Sequence, residues 1–211
     1  MIISDGEFIT SPSNDVNYAT IGIDENKNIF TDYFKFRIVV KSESTGNSSE
    51  VQFYNKVAPA FYLKIYDRNF GTHSPGSMDD GCEVVIKDGV VESINSNKEG
   101  LEIPENGYII ANSLRHSMFL ADNFNVGDKV TLDISLAPEI DGIKEAVGGG
   151  TVLVKDGKKA SFTLKDTRNP LTAAGYDSGN KILYLLNAVG RNEKARGMTF
   201  SEAAELFISY G

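Results

Sequence analysis

Apolar and polar residues alternate along most of the 211-residue chain in short segments bounded by turn formers, the pattern of strands half-buried in a sheet. Three Asp-Gly pairs, Asp5-Gly6, Asp88-Gly89 and Asp156-Gly157, stand between apolar-rich arms. Asp-Gly suits the two positive-φ positions of a type I′ turn, so each pair predicts a two-residue β-hairpin. Further strands are predicted at residues 18–23, 34–41, 51–55, 61–66, 108–112 and 129–136. Residues 42–49 and 71–81 are polar, Gly/Ser-rich loops. Residues 115–123 predict a short helix or turn, with Leu114, Met118 and Phe119 sharing a face.

The last 43 residues carry the densest signals. Pro170 to Tyr176 lacks bulk at four successive positions, which suits a strand that another backbone or a ligand approaches closely. A turn at residues 177–180 follows, then an apolar run at 181–188 that is apolar on both faces and therefore belongs in the middle of a sheet. A loop over residues 189–197 carries Arg191, Lys194 and Arg196. Thr199 followed by Glu202 is a capping box, so a helix starts there. Phe200, Ala203, Ala204 and Phe207 fall on its inner face, and Gly211 suits its end. The fold class these elements predict is α+β: a strand-rich mixed sheet with several β-hairpins and a C-terminal α-helix, residues 1–211 forming one domain.

Composition narrows the function classes. A net charge of −8 with scattered Lys and Arg disfavours nucleic-acid binding, although two or three local cations suffice for a single phosphate. No run approaches the ~20 apolar residues of a membrane span, and the first residues lack the basic region of a signal peptide. The lone Cys82 excludes an internal disulfide and a cysteine zinc site, and reads as a small buried thiol. Asp24 opens like a calcium loop, but Ile29 stands where glycine is needed and Lys35 where the bidentate glutamate belongs. Asp79-Asp80 reads as a solvated pair, with calcium as the sharper alternative, and the only histidines, His73 and His116, have no ligand-like spacing. No metal and no cofactor is expected. Gly148-Gly149-Gly150 is followed by a strand and by no Lys-Ser/Thr pair, so it is not a phosphate loop. Two readings stay open for it: a bend with close strand packing, or backbone amides facing a ligand.

The order of motifs resembles the phosphodiester glycosidase domain family, which includes phosphodiester alpha-N-acetylglucosaminidases and many bacterial envelope proteins. Pro170, Thr172, Ala173, Gly175, Gly190, Arg191, Gly197, Met198 and Thr199 carry the resemblance at the C-terminal end. Upstream, residues 103–110 resemble the family's Ile-Pro-x-x-Gly strand, Gly127-Asp128 its Gly-Asp, residues 147–154 its triple-glycine strand, and Asn55 and Tyr66 its usual Asn and Tyr. The family's Arg, Asp and Ser are replaced here by Leu171, Val189 and Ala195. Its Asn-Gly-Gly-Phe-Phe and Asp-Gly-Gly-Gly-Ser motifs are expected before Met1 and after Gly211, so the chain reads as the middle of a domain.

The resemblance implies a sugar-1-phosphodiester or other glycan ligand, a hydrolase reaction, and a cell-surface or extracellular setting in exopolysaccharide metabolism. Cleaving such a bond yields an oxocarbenium-like centre and a phosphate that leaves as a stable anion, so a cation for the phosphate matters more than a general acid. A guanidinium meets two phosphate oxygens at once, which makes Arg191 the first candidate and Thr172 its companion. Gly148, Gly149, Gly150, Asn55 and Gly190 are the candidate substrate-binding residues. Two upstream acids, Asp166 and Asp177, match no family position. Catalysis, a noncatalytic carbohydrate- or polymer-binding module and a purely structural surface domain all stay open, as does self-association through exposed edge strands.

Overall fold

The computed structural model describes residues 1–11, 18–59, 61–76, 81–96, 99–113, 117–139, 141–162 and 165–211. Asp79, Asp80, Leu114, Arg115 and His116 lie outside the described residues, as does the side chain of Met118. In chain order the strands are β1 (Ile2–Ser4), β2 (Glu7–Thr10), β3 (Tyr18–Asp24), β4 (Ile29–Ser42), β5 (Ser48–Glu50), β6 (Phe53–Tyr54), β7 (Lys64–Tyr66), β8 (Gly81–Lys87), β9 (Val90–Asn95) and β10 (Gly107–Ser113). After helix α1 (Ser117–Asn123) come β11 (Val130–Ala137), β12 (Ile143–Gly149), β13 (Val154–Lys155), β14 (Lys158–Lys159), β15 (Leu171–Asp177), β16 (Ile182–Ala188) and helix α2 (Phe200–Tyr210).

All three Asp-Gly turns form as their chemistry demands. Asp5, Gly6, Asp88, Gly89, Asp156 and Gly157 each have φ between 50° and 81°, the region aspartate tolerates and glycine adopts without cost. They close the hairpins β1–β2, β8–β9 and β13–β14.

A seven-stranded sheet runs in the order β11-β4-β3-β12-β1-β2, with β5 added to β4. A five-stranded sheet runs β6-β7-β10-β8-β9. The pairing is antiparallel apart from β6 with β7, which makes the second sheet mixed. On β4, Phe34, Phe36, Ile38 and Val40 point inward and Lys35 and Arg37 outward, the period of two that buries one face. They meet Val84, Ile86, Ile65 and Ile110 of the five-stranded sheet, with Leu120 and Phe124, in one core. Val85, Ile109, Tyr66 and Ile103 fill a second core on that sheet's other face. Its strand β8 is thus buried on both faces.

Two isolated bridges join the sheets at their ends, Ser11 with Tyr54 and Val90 with Lys129. The strands therefore form an incompletely closed, barrel-like ring around the main core.

The C-terminal hairpin departs from expectation. Among the described residues its apolar run pairs only with β15, in a two-stranded sheet, so β16 is not a central strand there. One face packs on α2 through Leu171, Ala173 and Leu186, while Leu185 on the other face is 80% exposed. An apolar pattern shows that a strand tolerates cover on both faces; it does not supply the cover. Strand lengths differ too: 51–55 shortens to Phe53–Tyr54, 61–66 to Lys64–Tyr66, and the polar loop at 42–49 yields β5.

Candidate functional site

The hairpin, the loop after it and the start of α2 form one unit because three backbone segments lie against one another. A Cβ on Gly190 would come within 2.9 Å of the Pro170 nitrogen and 2.8 Å of the Gly197 Cα. A Cβ on Gly197, whose φ is +81°, would lie 2.3 Å from the Asn169 carbonyl oxygen. Asn169 and Met198 exchange backbone hydrogen bonds of 3.2 and 2.9 Å, pinning the loop's exit to the entry of β15. Gly190 thus serves this close packing.

Arg191 leaves the pinned loop with φ 60° and an exposed side chain. Its Nη2 donates to Asn169 Oδ1 at 3.0 Å. Asn169 is itself fixed, donating to the Thr167 carbonyl at 3.2 Å and hydroxyl at 3.1 Å. The remaining guanidinium N–H groups have no partner among the described residues. Lys194 and Arg196 are exposed on the same loop. Thr172 projects from the exposed face of β15, opposite Asn187.

The helix start carries a second cation, Arg168, which sequence reading passed over. It donates to the Gly197 carbonyl at 3.1 Å and pairs with Glu202. The capping box had left a trace: Glu202 Oε2 accepts from the Thr199 amide at 3.0 Å, so its other oxygen needs a partner. Thr199 Oγ1 in turn accepts from the Glu202 amide at 3.1 Å. Asp166 accepts from the Ser201 amide at 3.2 Å and from the Ser201 hydroxyl, which also accepts from Lys159 at 2.6 Å. The Ser201 hydroxyl, above all, holds the Asp166 carboxyl below its ordinary range. A carboxylate of the chain therefore already occupies the helix N-terminus, where a bound anion would otherwise sit.

Asp177 is engaged as well. It accepts from the Asn180 side chain at 2.6 Å and from the amides of Gly179 and Asn180, bonds that lower its pKa, the Asn180 side chain first. Asp166 and Asp177, the two acids singled out upstream of the loop, are thus held as anions by local donors.

The other candidates lie on other sheets. Gly148 belongs to β12, where its amide donates to the Met1 carbonyl at 2.8 Å and an added Cβ would be 3.1 Å from the Met1 nitrogen. Gly150 faces open space. Asn55, with φ 51°, donates to the Ile9 carbonyl at 2.8 Å and to Asp67 at 2.6 Å, and accepts from the Asp67 amide at 2.8 Å. Its amide group is spent joining β2 to β6 and β7. Tyr66 is buried, and burial with the charge of Glu83 raises its hydroxyl to about 12. His73 is exposed beside the Thr72 hydroxyl. Among the described residues no group of three His, Cys, Asp or Glu is placed to hold a metal ion. Thr172, Gly190 and Arg191 thus belong to one hairpin-and-loop unit, whereas the glycine triplet and Asn55 lie at the two larger sheets.

A curled, mostly antiparallel α+β scaffold with a cationic loop leading into a capped C-terminal helix is the class these features define. The chain belongs to the phosphodiester glycosidase family, whose model matches residues 80–211. A hypothetical protein from Synechocystis has a similar fold, with a TM-score of 0.80 at 15% identity over 100% of this chain and 40% of that one. A presumed exported protein from Burkholderia pseudomallei K96243 gives 0.76 at 15% identity, over 98% of this chain and 52% of that one. The chain therefore spans less than two thirds of either protein. No curated protein matches it. Among the described residues no helix is long and apolar enough to cross a membrane.

Proposed function

We propose that this chain binds a sugar-1-phosphodiester at the Arg191 end of the β15–β16 hairpin, and that it serves hydrolysis of that bond in exopolysaccharide or cell-envelope metabolism outside the cell. The observation that carries this reading is a guanidinium anchored by one hydrogen bond to Asn169 with its other donors free and exposed. A planar fork held at one corner suits two phosphate oxygens. In this reading Arg191 neutralises the departing phosphate and Thr172 meets a sugar hydroxyl, with N-acetylglucosamine as the sugar to test first.

A second reading, a noncatalytic carbohydrate-binding module, is favoured by the engagement of Asp166 and Asp177, which leaves neither free to work on water or the sugar face. Leu171, Val189 and Ala195 also remove polar groups from the hairpin and its loop. The open edges of β15 and β16 further suit pairing with a second copy.

Calorimetry with an alpha-N-acetylglucosaminyl phosphodiester, run beside a turnover assay, separates these readings. Binding is expected to weaken about tenfold or more in Arg191→Ala, since a charged hydrogen bond contributes ~1.5–3 kcal/mol. Arg191→Lys should fall between, keeping the charge but not the fork. Binding without turnover selects the module. Turnover indifferent to Arg191 removes the proposed site, and silence in both assays removes both readings.

A further inference from the structure

Strand β11 is an edge of the seven-stranded sheet, and its free side is directional. The Val130 amide donates to the Gly89 carbonyl at 2.8 Å, on the side away from β4, while the Lys129 carbonyl accepts from Glu43 at 3.0 Å. The register with β4 continues without a bulge from Val130 to Ala137. Alternation therefore turns the peptide groups of Leu132, Ile134 and Leu136 outward as well. Past Val130 they have no partner among the described residues, because β9 meets this strand only at the Val90–Lys129 bridge.

That edge borders a cleft of about 870 Å³. Asp133, Ile134, Ser135 and Leu136 all line it, so the cleft follows β11 over four consecutive residues whose side chains alternate between the two faces. Ile3, Phe8 and Ile143 give an apolar floor continuous with the main core. Around the floor stand Asp5, Glu25, Asp133 and Glu139, with Lys144 as the one cation among the lining residues. All five are exposed and, among the described residues, none is in an ion pair. None of the candidate phosphodiester residues lines this cleft.

We propose that the cleft is an acceptor site for an extended, basic segment of a partner polypeptide, which adds a strand to β11. The free peptide groups of Leu132, Ile134 and Leu136 would supply the ladder, the apolar floor would take alternate side chains, and the carboxylates would pair with lysines or arginines pointing the other way. A phosphate-bearing ligand is disfavoured by the same four carboxylates. A second copy of this chain is too, since it brings a net charge of −8 to an acidic rim.

The test uses a short synthetic peptide of alternating valine and lysine, followed by backbone amide NMR on the intact chain. Shifts are expected at Leu132, Ile134 and Leu136, with affinity that falls as salt rises. A peptide N-methylated at alternate residues, and one of alternating valine and glutamate, should each bind at least about tenfold more weakly. Asp133→Lys, on the solvent face, should weaken the lysine peptide similarly. Ile134→Pro should abolish pairing, because it removes an outward N–H and no bond to β4. The proposal is overturned if the lysine peptide does not bind at millimolar concentration, or if N-methylation or the glutamate peptide makes no difference. A concentration-dependent dimer lost in Ile134→Pro would overturn it in favour of self-pairing.

Discussion

Glu83 carries a carboxyl group held at a cost inside the fold. It is 1% exposed in β8, with Oε2 accepting from the Ser74 hydroxyl at 3.0 Å and Oε1 without a partner among the described residues. Lys64 stands on the same face of the sheet, with Ala111 of β10 between them. Burial pushes the Glu83 carboxyl above its ordinary 4.5, and the Ser74 bond and Lys64 only partly offset this. A raised native pKa means that the folded state favours the protonated acid. The stability tied to Glu83 is therefore complete below 4.5 and declines as pH rises through the raised value. Burial pushes the Lys64 amine down, so its penalty is constant across acid and neutral pH and fades only as pH rises towards the ordinary 10.5. Glu83→Gln should keep the Ser74 bond and flatten the fall in urea midpoint as pH rises above 4.5; parallel curves for the two proteins would refute this. None of it is legible in sequence, where Glu83 looks like the polar position of an alternating strand. The row Glu83, Ala111, Lys64 exists only once β7, β10 and β8 are side by side. Arg191, by contrast, could be picked out as a loop cation, but not its tie to Asn169, 22 residues earlier.

Local chemistry specifies elements where it acts through neighbours in the chain, and α2 is the clearest case. The Thr199–Glu202 box forms in full, and Ala203 and Ala204 are fully buried, as their spacing requires. Thr199→Ala should cost about 1 kcal/mol, read as a lowered melting midpoint. Gly197→Ala should cost clearly more, because it adds a strained positive φ to a backbone collision with Asn169. The small residues of β15 have an equally specific cause. A Cβ on Gly175 would lie 2.9 Å from the Phe207 ring, so it is the helix that approaches closely there, not a ligand. Gly175→Ala should destabilise, and Phe207→Leu should recover part of the loss in a double-mutant cycle. Additive effects would show that the ring does not set the limit. The same local rules could not reveal that β12 lies between β3 and β1, since that pairing joins residues more than a hundred positions apart. Nor could they show that β16 would lack a second neighbour.

At the scale of the molecule, cohesion is unequal. The ring of two sheets encloses large fully buried side chains, among them Phe34, Phe36, Ile38, Ile65, Ile86 and Ile110, contributed by strands far apart in sequence. Among the described residues the C-terminal unit buries only Leu153, Ala203 and Ala204, with half-buried Phe162, Leu171, Leu186 and Phe200 around them. Each large aliphatic side chain taken fully out of water contributes ~1.5–3 kcal/mol, so the ring holds most of the driving force. Its antiparallel pairs also protect one another, whereas the β15–β16 ladder has water on both outer edges among the described residues. Openings that free the hairpin and α2 should therefore need less energy than openings of β8 and β10. Native-state hydrogen exchange measures this directly. Amides of β15, β16 and α2 should exchange at a denaturant-insensitive, lower free energy than those of Val84, Ile86 and Ile110. A sugar-phosphate ligand bound at Arg191 should raise protection in the C-terminal unit first, because that unit contains the whole proposed contact. Uniform protection across both regions would mean that they unfold as one cooperative body, and the hairpin's bare face would then need a stabilising cause other than α2.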